Sequence, residues 1–261
     1  MRFENKTVII TGGDKGIGRA IANEFAKNGA NIVIGFARDV ESADKTSQMI
    51  NKLGARALLF KMDVRKKGDC EGLVEAAVKN FGKLDIAINN AGVSTMNWAI
   101  DLTEEEWDYN MDVNAKGVFL CCQAEVKQFI KQENGGKIVN IASIASKRPA
   151  RLISHYTASK FAVLGFSKSI ALEVAKYKIN VNCVCPGLVK TSMQEREIKW
   201  EATLRDMTTE EVIKEYVESI PLGRIEEPED VAKVVIFLAS KDADYMTGQA
   251  INIAGGKEMS V

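Results

Sequence analysis

The chain has 261 residues, 46% apolar and 27% charged, which suits a globular protein with ample length for a packed core. Thirty-five basic residues balance thirty-five acidic ones, so no nucleic-acid partner is expected, and the run Arg65-Lys66-Lys67 reads as a solvated turn. No apolar run approaches membrane-spanning length. The five cysteines follow no disulfide framework, and a single histidine, His155, leaves no visible metal set. The N-terminus runs almost directly into a strand without a signal-peptide pattern, so a cytoplasmic protein is expected.

In chain order, the apolar run at 7–11 predicts a buried strand and 19–27 the helix after it. A strand follows at 31–36, a helix at 42–53, a strand at 56–62 and a helix at 69–81. The strand at 84–89 precedes a long helical pattern over 104–132. A strand at 137–142, a helix at 158–177 and strands at 179–185 and 250–254 complete the series. Cys183 and Cys185 alternate within an apolar run, which puts both on one buried strand face. Seven strands separated by helices predict an α/β fold, a parallel sheet covered on both faces. No linker or repeat marks a second domain. The longest departure from the alternation is 187–221, where Thr208-Thr209-Glu210-Glu211 looks like a helix start. That excursion reads as a lid at 188–220 or as a surface helical pair that only packs.

Thr11-Gly12-Gly13-Asp14-Lys15-Gly16-Ile17-Gly18 lies between the first strand and the first helix. Glycines at 12, 16 and 18 permit a tight turn, close backbone approach to a pyrophosphate, and free helix N–H groups facing the anion. An acid at the end of the second strand would bond a ribose 2′-hydroxyl and repel a 2′-phosphate. Phe36 stands there instead, with Arg38 just after it and Lys15 in the glycine turn, so NADP(H) is favoured. Asp39 is the competing observation, because its carboxylate on the ribose would select NAD(H). Asp63-Val64 ends the third strand, where an adenine could be gripped. Asn89-Asn90-Ala91-Gly92 ends the fourth, where small residues and amides suit a passing ribose and strand bracing.

Tyr156 and Lys160 are four residues apart, which on a helix places an amine beside a phenol. A nearby ammonium favours phenolate and should lower the phenol pKa from its usual value of about 10. Ser143, just past the strand at 137–142, supplies a hydroxyl able to hold a carbonyl or alkoxide oxygen. With a dinucleotide turn, these groups point to hydride transfer between a secondary alcohol and a ketone.

From Lys6 to Gly256 the chain resembles the short-chain dehydrogenase/reductase family. The motifs are the glycine turn, Asn89-Asn90-Ala91-Gly92, Asn114, Ser143, Tyr156 with Lys160, and Pro186-Gly187. The resemblance implies one Rossmann-type domain over 1–261, a doubly wound, seven-stranded parallel sheet, and a homotetramer. It implies Tyr156 as general acid/base and Ser143 as substrate orienter. Lys160 would bind the nicotinamide ribose and tune the tyrosine, and Asn114 would hold a water that relays protons to Lys160. Pro186, Gly187, Val189 and Thr191 would flank the nicotinamide and its phosphates. Ala254 stands where relatives often carry aspartate, and Ala142 where they often carry serine.

Candidate substrate contacts are Ser94, Met96, Trp98, Ile144, Ser146, Lys147, His155, Met193 and Trp200. His155 reads equally as a pocket-rim residue or an exposed loop histidine. Lys147 and Arg148 read better as a solvated charge pair than as an anion site. The stretch 193–224 resembles sugar-alcohol or vicinal-diol dehydrogenases. A hydroxysteroid dehydrogenase and a 3-oxoacyl reductase are the enzymatic alternatives, and a dinucleotide-binding sensor is the non-enzymatic one.

Overall fold

Each apolar run read from the sequence becomes a strand of one sheet. The computed structural model describes residues 1–260. Its strands are β1 (Thr7–Thr11), β2 (Asn31–Phe36), β3 (Ala57–Lys61), β4 (Ile86–Asn89), β5 (Gly136–Ile141), β6 (Ile179–Pro186) and β7 (Ala250–Ile253). They pair in the order β3-β2-β1-β4-β5-β6-β7, and every pairing is parallel. Parallel strands require crossovers, so the connecting helices cover both faces. The helices are α1 (Gly16–Lys27), α2 (Val40–Lys52), α3 (Lys67–Phe81), α4 (Glu104–Asn110), α5 (Gly117–Gln132), α6 (Ser154–Val174), α7 (Ser192–Arg205), α8 (Thr209–Glu218) and α9 (Pro228–Leu238). No helix among the described residues is long and apolar enough to cross a membrane.

The central strands are apolar on both faces because each face packs a helical layer. Val8, Ile10, Ile32, Ile34 and Ile88 join Ile21, Phe25, Ile50, Val231 and Val235 in one core. Ile9, Val33, Ala87, Ile138 and Val181 join Leu73, Val118, Phe129 and Val163 in the other. Burying each large aliphatic side chain contributes about 1.5–3 kcal/mol, so these alternating residues fix both register and layering. Cys183 and Cys185 lie together in the second core, as their alternation predicted. All five thiols are free and buried, with Cys121 Sγ 3.5 Å from Cys70 Sγ. The Cys70 contact and burial hold Cys121 well above the ordinary thiol range. Burial does the same to Cys122 and pushes Cys183 up to about 12.

Three elements differ from the sequence reading. The helical pattern over 104–132 is interrupted by a wide π-type turn, Met111–Lys116, between α4 and α5. Asn114 in that turn bonds the backbone of Val93 in both directions, a tertiary tie that periodicity does not reveal. The helix expected from 158 begins at Ser154, so Tyr156 is already helical. α9 went unread, although Pro228 at its start, the Glu227–Asp230 capping box and the buried Val231, Val235 and Leu238 are ordinary helix signals. The excursion at 187–221 holds α7 and α8, capped by Thr191 and Thr208. Ile198, Ala202 and Val212 give the pair its own small core. Arg205 bridges Glu201 and Glu215, and the Tyr216 hydroxyl donates to Glu201.

A polar network crosses the second core. Asn89 Nδ2 donates to Asn140 Oδ1 at 2.9 Å and to Glu125 Oε2 at 3.0 Å, and Asn140 Nδ2 donates to Ser167 Oγ at 2.8 Å. The bracing expected at Asn89 is present. Burial pushes Glu125 up to about 8, against 4.5 for an ordinary glutamate. A raised acid favours the folded state fully below pH 4.5, and that advantage declines as pH rises to about 8. The decline runs at about 1.4 kcal/mol per pH unit. Glu125→Gln keeps the acceptor for Asn89 and removes the titration. Its melting temperature is expected to fall less than that of the parent across this interval. Equal losses in thermal melts at both ends of the range would assign the dependence to other groups.

Candidate active site

The crevice lies where β1 and β4 are neighbours and the chain leaves to opposite sides, at the carboxyl ends of the strands. Hydrogen bonds tie the two strand ends together. Asn90 N and Ala91 N each donate to Thr11 Oγ1 at 3.0 Å, and Asn90 Nδ2 donates to the carbonyls of Thr11 and Gly12. This holds the glycine turn tight. A Cβ at Gly18 would overlap the Gly12 carbonyl oxygen, and one at Gly12, where φ is +62°, would meet Ala91 Cα at 3.0 Å. Lys15 precedes α1 without a side-chain cap, leaving the first N–H groups of the helix free. Thr191 stands close to Gly16 from the opposite side, with its Cγ2 3.2 Å from where a Cβ would be. Bare backbone, free donors and a positive helix end fit a dinucleotide pyrophosphate among Gly12, Lys15, Gly16, Ile17, Gly18 and Thr191.

At the far end of this cradle, Phe36 is buried and Arg38 is exposed. Lys15 Nζ lies 3.4 Å from Asp39 Oδ2. Asp39 accepts from Ser42 N at 3.0 Å and so caps α2, and this bond holds its carboxyl below the usual range. Asp14 is buried and its carboxyl is raised by burial. Asp63 is paired with Arg65 at 2.6 Å, and Val64 beside it is buried.

The reacting groups follow from the packing of α6. Lys160, Val163, Ser167, Ala171 and Val174 form one buried stripe, and Tyr156 begins it one turn earlier. Lys160 is therefore only 5% exposed, and its Nζ donates to the Ile141 carbonyl at 2.9 Å. Nζ lies 5.6 Å from the Tyr156 ring centroid, over the ring face. Ser143 lies two residues past β5, and its Oγ accepts from Ala145 N at 3.1 Å. Asn114 Nδ2 bonds Ser159 Oγ at 3.0 Å. Asn114 Oδ1 and Lys160 Nζ both border Gly92, at 3.3 and 3.7 Å from where its Cβ would stand.

The electrostatics correct one expectation. Burial, reinforced by the Glu197 carboxylate, holds the Tyr156 phenol above the ordinary tyrosine range, and the Ser143 hydroxyl is what opposes the rise. The same burial brings Lys160 down to about 8. A lysine bonded to a backbone carbonyl and lying over the ring face does not produce the acidic phenol that the four-residue spacing suggested.

Several substrate candidates are placed elsewhere by the structure. His155 is neither at a rim nor on an exposed loop. It is wholly buried, with Nε2 2.6 Å from Thr95 Oγ1, and burial lowers its pKa. Ser146 is buried and donates to the Ser143 carbonyl, so its hydroxyl is already engaged. Trp200 is exposed, with Arg196 over its ring, and Trp98 is exposed as well. Lys147 and Arg148 donate to the Ala250 and Lys257 carbonyls and so hold the C-terminal segment. Ile144 and Ser94 are buried, while Met96 and Met193 are half-buried.

Two residues were missed. Glu226 is buried, and its Oε2 accepts from Gly187 N at 2.9 Å, which steadies the 187–190 segment; burial pushes it up to about 8. Glu197 lies near both Ser94 and Tyr156. Its helical spacing from Gln194 and Glu201, both buried, was the available signal.

A family model described as enoyl-(acyl carrier protein) reductase matches residues 12–258. The diacetyl reductase [(S)-acetoin forming] of Staphylococcus epidermidis is 41% identical over 97% of this chain and 98% of its own length. The 2-dehydro-3-deoxy-D-gluconate 5-dehydrogenase of Escherichia coli is 37% identical over 97% and 96%. A crystal structure of an actinorhodin polyketide ketoreductase variant with NADPH superposes with a TM-score of 0.92 at 33% identity, covering 97% of each chain. With its doubly wound seven-stranded sheet, the chain belongs to the short-chain dehydrogenase/reductase family of oxidoreductases that act on secondary alcohols and ketones.

Proposed function

We propose that this chain interconverts a secondary alcohol and a ketone with NADP(H), acting on a vicinal diol, ketol or sugar alcohol. The observation that carries the reading is the gathering of Ser143, Tyr156 and Lys160 at the carboxyl end of the sheet, on the same side as the glycine cradle. When bound, the nicotinamide supplies or accepts the hydride. Ser143 orients the substrate oxygen, and Tyr156 exchanges its proton. The phenol is protonated at neutral pH, and a pKa held above the ordinary range makes it a weak acid until Ser143 and the bound cofactor bring it down. Lys160 steadies the nicotinamide ribose, and Asn114 holds a water between it and solvent. Asp14, Asp63, Val64, Asn90, Ala91, Gly92, Pro186, Gly187 and Val189 complete the cofactor contacts.

The preference for NADP(H) rests on charge. Phe36 replaces an acid, Arg38 is exposed, and Asp39 is spent as the α2 cap and partner of Lys15. The diol or ketol reading rests on the acetoin-forming relative and on the polar residues facing Tyr156. We assign the whole chain to one nucleotide-binding domain, with α7 and α8 as the lid over the crevice.

Turnover followed by nicotinamide absorbance tests this reading. The panel is acetoin-like ketols, polyols, a hydroxysteroid and a 3-oxoacyl thioester, each with both cofactors. Ketols or polyols with NADP(H) are expected to lead. Tyr156→Phe is expected to lower kcat by roughly 10²–10⁴-fold while cofactor fluorescence still titrates. A Phe variant as active as the parent would remove Tyr156 from the chemistry. A parent that binds cofactor but turns over nothing would favour a sensor.

The reading includes a homotetramer. Phe119 on α5 and Phe161 and Leu172 on α6 are exposed, Leu172 at 83%, and the Phe119 ring meets Phe166 edge-on at 5.9 Å. Light scattering is expected to give four subunits for the parent and smaller species for Phe161→Glu with Leu172→Glu. A monomeric parent rejects the assembly.

A further inference from the structure

α7 turns one face inward. Ile198 and Ala202 pack against Val212, and Gln194 and Glu201 on the same face are buried. Glu197 lies between these two, one turn from each, and is half-buried while Glu195 and Arg196 beside it are exposed. The ion pairs of the lid run through Glu201 and Glu215 to Arg151 and Arg205, and leave Glu197 without one among the described residues. Across the crevice, Ser94 follows the β4 loop. It is only 3% exposed, and its Oγ makes no hydrogen bond within the described chain. That hydroxyl lies toward the Glu197 carboxyl; burial raises the carboxyl above the usual glutamate range, Ser94 and Arg196 oppose the rise, and the Glu197 charge also reaches the Tyr156 phenol.

A buried hydroxyl without a partner loses about 1–3 kcal/mol of hydrogen bonding, and a desolvated carboxylate without a cation loses more, so both gain from a ligand that satisfies them. A substrate hydroxyl does this, donating to one group and accepting from the other. A substrate carboxylate would bring like charge against like.

We propose that Glu197 and Ser94 form a polar subsite beside Tyr156 that selects neutral, hydroxyl-bearing ketones and rejects carboxylate-bearing ones. The carbonyl to be reduced lies at Tyr156 and Ser143, and the hydroxyl on the adjoining carbon lies between Glu197 and Ser94. Glu197 accepts that hydroxyl's proton in a charge-assisted hydrogen bond, and Ser94 donates to its oxygen. The subsite does no chemistry; it sets which ketone is held for reduction. The inference rests on the hydride-transfer reading above.

The test compares acetoin, butanone and acetoacetate, which share a ketone of similar size and differ in a hydroxyl, nothing, or a carboxylate. In the parent, kcat/KM is expected to rank in that order. Glu197→Gln keeps the shape and removes the charge. It is expected to lower the acetoin-to-butanone ratio about tenfold, mostly through KM, and to raise the acetoacetate-to-butanone ratio by a similar factor. Ser94→Ala is expected to lower the first ratio and leave the second near its parent value. Tyr156→Phe is measured alongside. If it retains parental turnover, the underlying reading fails first. If it is inactive while both ratios stay at parental values in Glu197→Gln and Ser94→Ala, the subsite is overturned and hydride transfer stands.

Discussion

The junction of β1 with β4 is the constraint on which the site depends. Thr11 Oγ1 accepts from two successive backbone donors, Asn90 N and Ala91 N, while the Asn90 amide grips the carbonyls of Thr11 and Gly12. Four hydrogen bonds thus lock residues 11 and 12 to residues 90 and 91, at the carboxyl ends of β1 and β4. The glycines follow from that closeness, since a Cβ at 12 or 18 would run into the backbone gripped there. The loop beyond Asn90 then carries Gly92 against Asn114 and Lys160, and Ser94 toward α7. The glycine turn and the Tyr156–Lys160 pair are thus positioned from one clamp.

Burial, more than charge pairing, sets the chemistry of the centre. Lys160 continues the apolar stripe of α6, so it loses water and its pKa drops. Tyr156 loses water too and is pushed the other way. Desolvation favours the neutral form of each group, which brings the two pKa values out of the order that an isolated amine–phenol pair would show. A raised pKa makes the phenol a weaker acid in either direction of proton transfer, and the Ser143 hydroxyl is the neighbour that opposes the rise.

Much of this was legible in the sequence because the signals are local. Strand runs report burial on two faces, and the glycine turn reports a backbone that excludes side chains. The Tyr156–Lys160 spacing reports a shared helix face. What escaped was tertiary. Asn114 sits in a wide turn held by Val93, twenty-one residues upstream, and no periodicity announces that. His155 read as a pocket-rim or an exposed loop residue, yet it is wholly buried and its ring bonds Thr95 from another loop. The phenol was misjudged because spacing gives proximity without solvent access. Trp200 was a candidate substrate contact, while its helix turns it outward and Glu197 inward.

The five cysteines carry a practical consequence. Each is enclosed by the packed layers, and the thiols of Cys121, Cys122, Cys183 and Cys185 are held in their protonated form. Thiolate is the species that alkylating reagents and peroxide attack, so these side chains are chemically silent while the layers stay closed. Any event that parts the helices from the sheet exposes several nucleophiles at once. Labelling speed with a maleimide therefore reports how often this protein opens, without an added probe.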